Sequence, residues 1–330
     1  MSTNTTENLT AVELLFLTET LAGLQASPKF MQAKYFYDER GGSIFQQIME
    51  MEDYYLTNAE MDIFSNQAKQ IAALIMMENT PFDLIELGAG DATKSIFLLK
   101  ELNKGKQKFT YLPVDISAHV ISDLEVNLPK ELPGLDVKGL NGDYLAMLNK
   151  ATTLSKRRKV VLFMGANIGN MNQDEAADFL LSLRKLLSND DMLIIGFDLK
   201  KNPKQILAAY NDSKGITSAF NLNLLERINR ELGGDFEPEN FEHYASYDPE
   251  SGACKSYLIS LKDQTVHIGD TATIGFACNE YIFMEISQKY ALEDIKKLAS
   301  SCGFQYQTNF FDANKYFVDA VWTVTDASLT

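Results

Sequence analysis

The chain has 330 residues, of which 45% are hydrophobic and 23% are charged, so it can fold around a sizeable packed core. Its formal net charge of −15 disfavours a phosphate backbone or an anionic membrane as the main partner. Three cysteines without metal-like spacing and three scattered histidines favour a reduced, metal-free, cytoplasmic protein. We expect neither a signal peptide nor a membrane-spanning segment, because the N-terminus is polar and no apolar run approaches about 18 residues.

The first part of the chain combines two predicted helices with a dense group of aromatic residues. Leucines recur with helical spacing over residues 11–24. Five aromatic residues then lie between Phe30 and Phe45, a density that indicates a pocket wall or a lid. Thr57 and Glu60 match a capping box, which predicts a helix with Thr57 as N-cap and Glu60 at N3.

A glycine turn follows the first predicted strand of the central region. Residues 84–94 read LIELGAGDATK, an apolar run that contains Glu86, then Gly88 and Gly90, then a helical pattern from residue 92 to 103. Glycines let the backbone turn tightly and approach a ligand. The order acid, glycine, glycine is the form used to hold S-adenosylmethionine, whereas the missing third glycine disfavours a nicotinamide dinucleotide. Asp115 closes the next apolar run, 109–114, where it would take the ribose hydroxyls.

Strands and helices alternate through the middle of the chain. The predicted strands cover residues 84–87, 109–114, 135–140, 160–164 and 192–197. Because they are apolar throughout and separated by helices, they predict a parallel sheet covered on both faces. Ligands of such sheets bind beyond the carboxyl ends of the strands. The polar or glycine residues at those ends are therefore candidate ligands: Gly88, Asp115, Asp143, Asn170 and Asp198.

The pattern changes after Asp198. Helices are predicted over residues 203–210, 217–232 and 292–301, a hairpin joins 257–261 to 265–268, a strand covers 282–287, and 304–311 pairs with 316–324 as a terminal antiparallel hairpin. We predict an α/β protein with a Rossmann-like sheet of the class I S-adenosylmethionine methyltransferase type and a second, composite α+β substrate lobe. The sheet domain would comprise residues 61–199 and 289–330, and the lobe residues 1–60 and 200–288.

Several longer stretches carry a family resemblance over nearly the whole chain. They are KYFYDERGGSIFQQI at 34–48, EDYYLTNAE at 52–60, IELGAGDATK at 85–94, PVDIS at 113–117, NGDY at 141–144, FMGANIGNMN at 163–172, AYNDSKGITSAFN at 209–221, NRELGGDF at 229–236 and MEISQKY at 284–290. The chain resembles the S-adenosylmethionine-dependent histidine Nα-methyltransferases of ergothioneine biosynthesis. Two departures are Asn167, where the family is expected to have a smaller serine or threonine, and Ser256, where a bulkier apolar residue is expected.

The resemblance implies a role for each matching residue. The cofactor S-adenosylmethionine would be bound by Tyr37, Gly88, Lys94, Asp115, Asp143 and Tyr144. The substrate would be bound by Tyr54, near its amine and assigned as catalytic, by Asn170 and Tyr210 at its carboxylate, and by Glu285 and Ser287 at its imidazole ring. Glu285 and Ser287 are two residues apart, so both face one side of an extended segment. A carboxylate and a hydroxyl match the two ring nitrogens of imidazole.

The implied reaction is trimethylation of the α-amine of L-histidine to hercynine. The implied protein is a monomer that acts on a small amino acid and has no nucleic-acid or membrane partner. Two alternatives remain open at this point: a methyltransferase of the same fold that acts on another amino acid or amine, and a non-catalytic protein that binds the cofactor. The imidazole-matched pair Glu285 and Ser287 favours histidine, and the carboxylate ligands Asn170 and Tyr210 favour an enzyme.

Overall fold

The computed structural model describes residues 10–324. Its α-helices are α1 (Ala11–Leu24), α2 (Glu39–Met49), α3 (Tyr55–Ile75), α4 (Ser95–Asn103), α5 (Ala118–Glu131), α6 (Tyr144–Leu154), α7 (Gln173–Arg184), α8 (Pro203–Tyr210), α9 (Ile216–Leu232) and α10 (Leu292–Ser301). Its strands are β1 (Lys29–Phe30), β2 (Phe82–Leu87), β3 (Phe109–Asp115), β4 (Asp136–Val137), β5 (Leu140–Asn141), β6 (Arg158–Phe163), β7 (Met192–Asp198), β8 (Phe241–Tyr247), β9 (Ala253–Ser260), β10 (Gln264–Ile268), β11 (Ala272–Phe276), β12 (Tyr281–Gln288), β13 (Phe304–Phe311) and β14 (Phe317–Val324).

The described chain divides into two compact units. The first, called the lobe below, comprises residues 10–55 and Lys201–Ser287, and the second, called the sheet unit, comprises Leu56–Lys200 and residues 288–324. The outer residues of the domains predicted from sequence, 1–9 and 325–330, lie outside the described part. Within residues 10–324, no helix has the length and apolar character needed to cross a bilayer.

The sheet unit is built on one large mixed sheet. Its strand order is β13-β14-β7-β6-β2-β3-β4, and β5 also pairs with β3. The strands from β7 through β6 and β2 to β3 run parallel, whereas β14 is antiparallel to both β7 and β13. Every residue of β2 and of β7 is buried, as expected for central parallel strands covered on both faces. The predicted Rossmann-like sheet and the predicted terminal hairpin are confirmed.

The glycine turn is longer than the sequence pattern indicates. The helix expected from residue 92 begins at Ser95 instead. Ala92 has φ +57°, a left-handed conformation that cannot belong to a right-handed helix. The side chain of Asp91 also accepts a hydrogen bond of 3.0 Å from the Thr93 N–H, which stabilises the turn locally. The strand expected over residues 135–140 is likewise divided, into β4 and β5.

The predicted capping box at Thr57 and Glu60 is wrong. Helix α3 begins at Tyr55, so Thr57 lies inside the helix rather than at its N-cap. Glu60 is 1% exposed and forms an ion pair with Lys94. The spacing of Thr57 and Glu60 matches a capping box by coincidence. Glu60 does not bind the helix N-terminus, because its partner is Lys94, which is distant in sequence.

The lobe contains a four-stranded sheet and a separate hairpin. The sheet has the order β1-β12-β9-β8, with β1 parallel to β12 and β8 antiparallel to β9. An apolar core that includes Phe16, Phe36, Phe220 and Leu258 holds its helices and strands together. The described α+β composition agrees with the composite lobe expected from sequence.

One hairpin of the lobe pairs differently from the prediction. The sequence pattern predicts that 257–261 pairs with 265–268, but β9 lies between β8 and β12, and β10 pairs with β11. The turn between β10 and β11 contains Gly269 at φ +50°. Glycine adopts this left-handed conformation without steric cost, so the reversal falls there rather than at Lys262 and Asp263.

Candidate active site

The first glycine of the turn is required by its surroundings. Gly88 has φ +74°, and a Cβ at this position would lie 2.8 Å from the Tyr144 hydroxyl and 3.1 Å from Nδ2 of Asn167. Gly90 also has a positive φ, +52°, but a Cβ there would meet no atom within 4 Å. Gly88 therefore allows two polar side chains to approach the backbone of the turn, and Asn167 was not among the predicted site residues.

Acidic groups follow β3 and β5: Asp115 binds the glycine turn directly, and Asp143 lies next to Tyr144. Asp115 accepts hydrogen bonds from the N–H groups of Gly90, at 3.2 Å, and Ser117, at 2.9 Å. Asp143 is the N-cap of α6 and accepts from Leu145 and Ala146. Burial, followed by the negative charges of Asp115 and Asp143, raises the pKa of Tyr144 to about 12. The structure thus brings together four predicted cofactor residues, Gly88, Asp115, Asp143 and Tyr144, in the sheet unit.

The Lys94 ammonium, predicted to bind the cofactor, already has an anionic partner within the protein. It is the N-cap residue of α4, its side chain is 27% exposed, and its ammonium pairs with the Glu60 carboxylate. The other oxygen of Glu60 accepts a hydrogen bond of 2.7 Å from the N–H of Gly165, just beyond β6. Lys94 is therefore held within the sheet unit, and its contact with the cofactor stays a prediction.

The two remaining strand-end candidates differ sharply. Asn170 is exposed at the end of the 3₁₀ turn Asn167–Asn170, which leaves its amide accessible to a ligand. Asp198, in contrast, pairs with Lys289 at 2.7 Å, and both side chains are 0% exposed. Removing one member of a buried ion pair leaves an uncompensated charge. Asp198 is thus a structural residue, and its assignment as a candidate ligand is wrong.

In the lobe, three predicted substrate residues lie together. The hydroxyl of Tyr210 is 2.7 Å from Oγ of Ser287, with either oxygen able to donate. The ring of Tyr54 meets the ring of Tyr210 edge-on, with centroids 6.1 Å apart. Glu285 is half-buried two residues before Ser287 on β12, so the two side chains share a face of the strand.

Tyr37, predicted to contact the cofactor, belongs to an aromatic cluster of the lobe. Its side chain is 47% exposed, and its ring packs edge-on against Phe45, at 5.3 Å, and Phe220, at 5.6 Å. Phe45 in turn contacts Tyr54, at 6.4 Å. The aromatic density around Phe45 is visible in the sequence, whereas Phe220 has the helical spacing of an ordinary core residue.

A buried acid lies beneath the glycine turn. Glu86 accepts a hydrogen bond of 2.5 Å from the Tyr111 hydroxyl. Burial raises the pKa of Glu86 to about 7, and the hydrogen bond from Tyr111 opposes that increase without cancelling it. The carboxyl group is therefore neutral in mildly acidic solution and becomes charged, at a cost, near neutral pH.

We expect Glu86 to make the protein less stable as pH rises. A carboxyl whose pKa is higher in the folded than in the unfolded state contributes fully below its unfolded pKa, near 4.5, and loses that contribution as pH approaches about 7. The loss would reach roughly 3 kcal/mol by pH 7 to 8. Urea unfolding of the wild type and of Glu86→Gln at several pH values measures it, because the amide does not titrate. Parallel stability curves for the two proteins would contradict the assignment.

Comparisons with known proteins identify the family of this chain. Residues 16–324 match the sequence profile described as histidine-specific methyltransferase, SAM-dependent. The chain is 31% identical to Histidine N-alpha-methyltransferase of Mycolicibacterium smegmatis, with 88% of each chain covered. It is also 31% identical to the Mycobacterium tuberculosis protein of the same name, with 82% of this chain and 83% of that one covered.

A fungal protein extends the comparison. Ergothioneine biosynthesis protein 1 of Neurospora crassa is 29% identical over 93% of this chain, which spans 35% of the fungal protein.

Within residues 10–324, no group of three or more histidine, cysteine, aspartate or glutamate side chains is arranged to hold a metal ion. The match over residues 16–324 covers both the sheet unit and the lobe. The chain is an enzyme that uses S-adenosylmethionine, and it belongs to the family of histidine-specific, S-adenosylmethionine-dependent methyltransferases.

Proposed function

We propose that this enzyme transfers methyl groups from S-adenosylmethionine to the α-amine of L-histidine, three times in succession, to form hercynine. The observation that carries the proposal is the polar cluster of Tyr54, Tyr210 and Ser287, with Glu285 on the same face of β12 as Ser287. Such a set offers a carboxylate and hydroxyls to a small, polar amino acid. Membership of the family supports histidine as that amino acid.

The cofactor supplies an electrophilic methyl group on a positively charged sulfur. The residues proposed to bind it are those around the glycine turn: Gly88 through its backbone, Asp115 at the ribose, Asp143 near the adenine, with Tyr144 and Lys94 beside them and Tyr37 in the lobe. The high pKa of Tyr144 keeps its phenol protonated, so it can donate a hydrogen bond. These residues fit the chemistry of the cofactor for two reasons. The Asp115 carboxylate can accept hydrogen bonds from the ribose hydroxyls, and the absence of a side chain at Gly88 lets a ligand approach the backbone of the turn.

The task of the lobe residues is to bind and orient the amine. Direct displacement forms the bond from nitrogen to carbon while the bond from carbon to sulfur breaks, and the sulfonium becomes a neutral thioether. The attacking nitrogen must be unprotonated, so the amine proton would leave to solvent through a water hydrogen-bonded to Tyr54. Positioning of the two reactants can supply several kcal/mol of the barrier reduction. Tyr54 and Tyr37 would also favour the methylated cation by about 0.5–2 kcal/mol through cation–π contact.

Mass spectrometry of histidine incubated with the protein and S-adenosylmethionine tests the proposal. We expect successive mass increases that correspond to one, two and three methyl groups. Histamine, which lacks the carboxylate assigned to Asn170 and Tyr210, should be a poor substrate. A panel of other free amino acids distinguishes histidine from alternative amines. Equal turnover of histidine and histamine would remove the carboxylate assignment, and absence of any methylated histidine would remove the proposed function.

We further propose that the enzyme is a monomer located in the cytoplasm. The acidic net charge of −15 supports an enzyme without nucleic-acid or anionic-membrane partners. Cys254, Cys278 and Cys302, all within the described residues 10–324, are not joined by disulfides, which fits a reducing compartment.

A further inference from the structure

A buried carboxylate connects the loops that follow β2 and β6. Glu60 extends from α3, pairs with the Lys94 ammonium through one oxygen, and accepts the Gly165 N–H at 2.7 Å through the other. Lys94 comes directly after the glycine turn, and Gly165 has φ +73° immediately beyond β6. Because β2 and β6 are adjacent and parallel, both loops lie at the carboxyl edge of the sheet, where such sheets bind ligands.

The surroundings of Glu60 fix its carboxylate in place. A Cβ on Gly196, in β7, would lie 2.5 Å from Oε1 of Glu60, so the carboxylate packs directly on the backbone of that strand. Asp319, on β14, is wholly buried, and burial followed by the charge of Glu60 raises its pKa well above the usual range. Burial and the neighbouring Glu60 carboxylate therefore disfavour the charged form of Asp319, and the ion-pair partner of the Lys94 ammonium is Glu60.

We propose that Glu60 is a positioning residue for the cofactor, because it holds the Lys94 ammonium and the Gly165 loop in the arrangement that receives the amino-acid end of S-adenosylmethionine. The inference rests on the cofactor role proposed for Lys94. Nothing in the local sequence distinguishes this function, since Glu60 occurs in a pattern that resembles a helix cap.

Position, rather than charge, is the quantity that Glu60 controls. A lysine side chain has several rotatable bonds and loses considerable freedom when it is held in one geometry. Because Glu60 holds Lys94 before the cofactor binds, binding does not require a further loss of side-chain conformational entropy by Lys94. The amino-acid end of the cofactor carries one carboxylate and one ammonium group. Glu60 repels the first and attracts the second, so its net electrostatic effect on this end of the cofactor is small. Loss of the Glu60 charge should therefore act mainly by releasing Lys94.

The substitution Glu60→Gln separates these contacts. The amide oxygen can still accept the Gly165 N–H, but the ion pair with Lys94 is lost. We expect the calorimetric affinity for S-adenosylhomocysteine to fall about tenfold, on the order of the side-chain freedom that a lysine regains. The affinity for methylthioadenosine, the same nucleoside without the amino-acid chain, should stay unchanged. A general loss of structure would weaken both ligands alike.

A matched control is present on the same two strands. Asp83 on β2 pairs with Lys159 on β6 at 2.9 Å, and both side chains are 4% exposed. The pair lies at the amino ends of these strands, opposite the edge that carries Lys94 and Gly165. We expect Asp83→Asn to lower thermal stability, as loss of one member of a buried pair does, and to leave both affinities unchanged.

Three results would overturn the proposal: unchanged affinity of Glu60→Gln for S-adenosylhomocysteine, an equal loss for both ligands, or the same selective loss in Asp83→Asn. If Glu60→Gln is not recovered as a folded protein, Glu60→Asp provides the same comparison, because it keeps the charge but shortens the reach by one carbon. It should also weaken S-adenosylhomocysteine selectively, and an unchanged ratio of the two affinities would overturn the proposal. Failure to methylate histidine while S-adenosylhomocysteine binds normally would contradict the proposed substrate and leave the role of Glu60 standing.

Discussion

Replacing Asp115 by alanine should weaken binding of S-adenosylhomocysteine by roughly a hundredfold while the protein remains folded. The carboxylate at the end of β3 is already oriented by the N–H groups of Gly90 and Ser117, so it can receive two ribose hydroxyls without rearrangement. Hydrogen bonds to a charged group contribute about 1.5–3 kcal/mol each. Loss of both would cost about 3 kcal/mol or more, which corresponds to roughly a hundredfold in affinity. Isothermal titration calorimetry measures the effect directly.

Two further variants separate ribose binding from local structure. Ser117 is the N-cap of α5, and its Oγ accepts the Val120 N–H at 3.3 Å. Ser117→Ala should cost about 1 kcal/mol of stability through loss of that cap, with little change in affinity. Asp115→Asn keeps one acceptor oxygen and should lie between the wild type and Asp115→Ala. If Ser117→Ala weakens binding as much as Asp115→Ala does, the effect arises from the helix N-terminus and not from the ribose.

The sheet could be predicted from sequence because its signals are local. Apolar runs such as 109–114 and 192–197 are buried on both faces, and that requirement is visible in the residues themselves. The residues at the strand ends followed from the same logic, since parallel strands bring their carboxyl ends to one edge. Gly88, Asp115, Asp143 and Tyr144 are accordingly close together in the structure.

Features that depend on contacts distant in sequence could not be predicted. Asp198 resembled a ligand at a strand end, but Lys289 neutralises it from a segment about ninety residues later. Glu60 resembled a helix cap, but its partner is Lys94. The hairpin of β10 and β11 was missed because the conformation of Gly269 decided where the chain reverses. Sequence patterns report local preference, and buried charges are instead placed by the fold.

The residues of the lobe also include one feature that local sequence predicts and one that depends on a contact distant in sequence. The two-residue spacing of Glu285 and Ser287 predicted that they share a face of a strand, and β12 has that geometry. The hydrogen bond between Tyr210 and Ser287 was not anticipated, because the family resemblance assigned them to opposite ends of the substrate. Its length of 2.7 Å ties the orientation of one hydroxyl to the other. Ring recognition and carboxylate recognition are therefore coupled through these two side chains in our proposal.

Replacing Glu285 by alanine should strongly lower kcat/KM for histidine. Glu285 is half-buried on β12, between the apolar residues Met284 and Ile286. If its carboxylate accepts a hydrogen bond from an imidazole N–H, the substitution removes a charge-assisted contact and leaves the ring nitrogen without a partner. The expected loss is about 2–4 kcal/mol. It corresponds to roughly 30- to 1000-fold in kcat/KM for histidine, since each 1.36 kcal/mol is a factor of ten.

The comparison with phenylalanine identifies what Glu285 contacts. A polar pocket rejects analogues that cannot satisfy its buried groups, so the wild type should strongly prefer histidine to phenylalanine. Glu285→Ala should lose much of that preference and keep its affinity for S-adenosylhomocysteine. Glu242, an exposed acid on β8 of the same sheet, supplies the matched control, and Glu242→Ala should behave as the wild type. If Glu285→Ala retains the wild-type ratio of kcat/KM for the two amino acids, Glu285 does not recognise the ring, and the assignment of histidine loses its main support among the residues of the lobe.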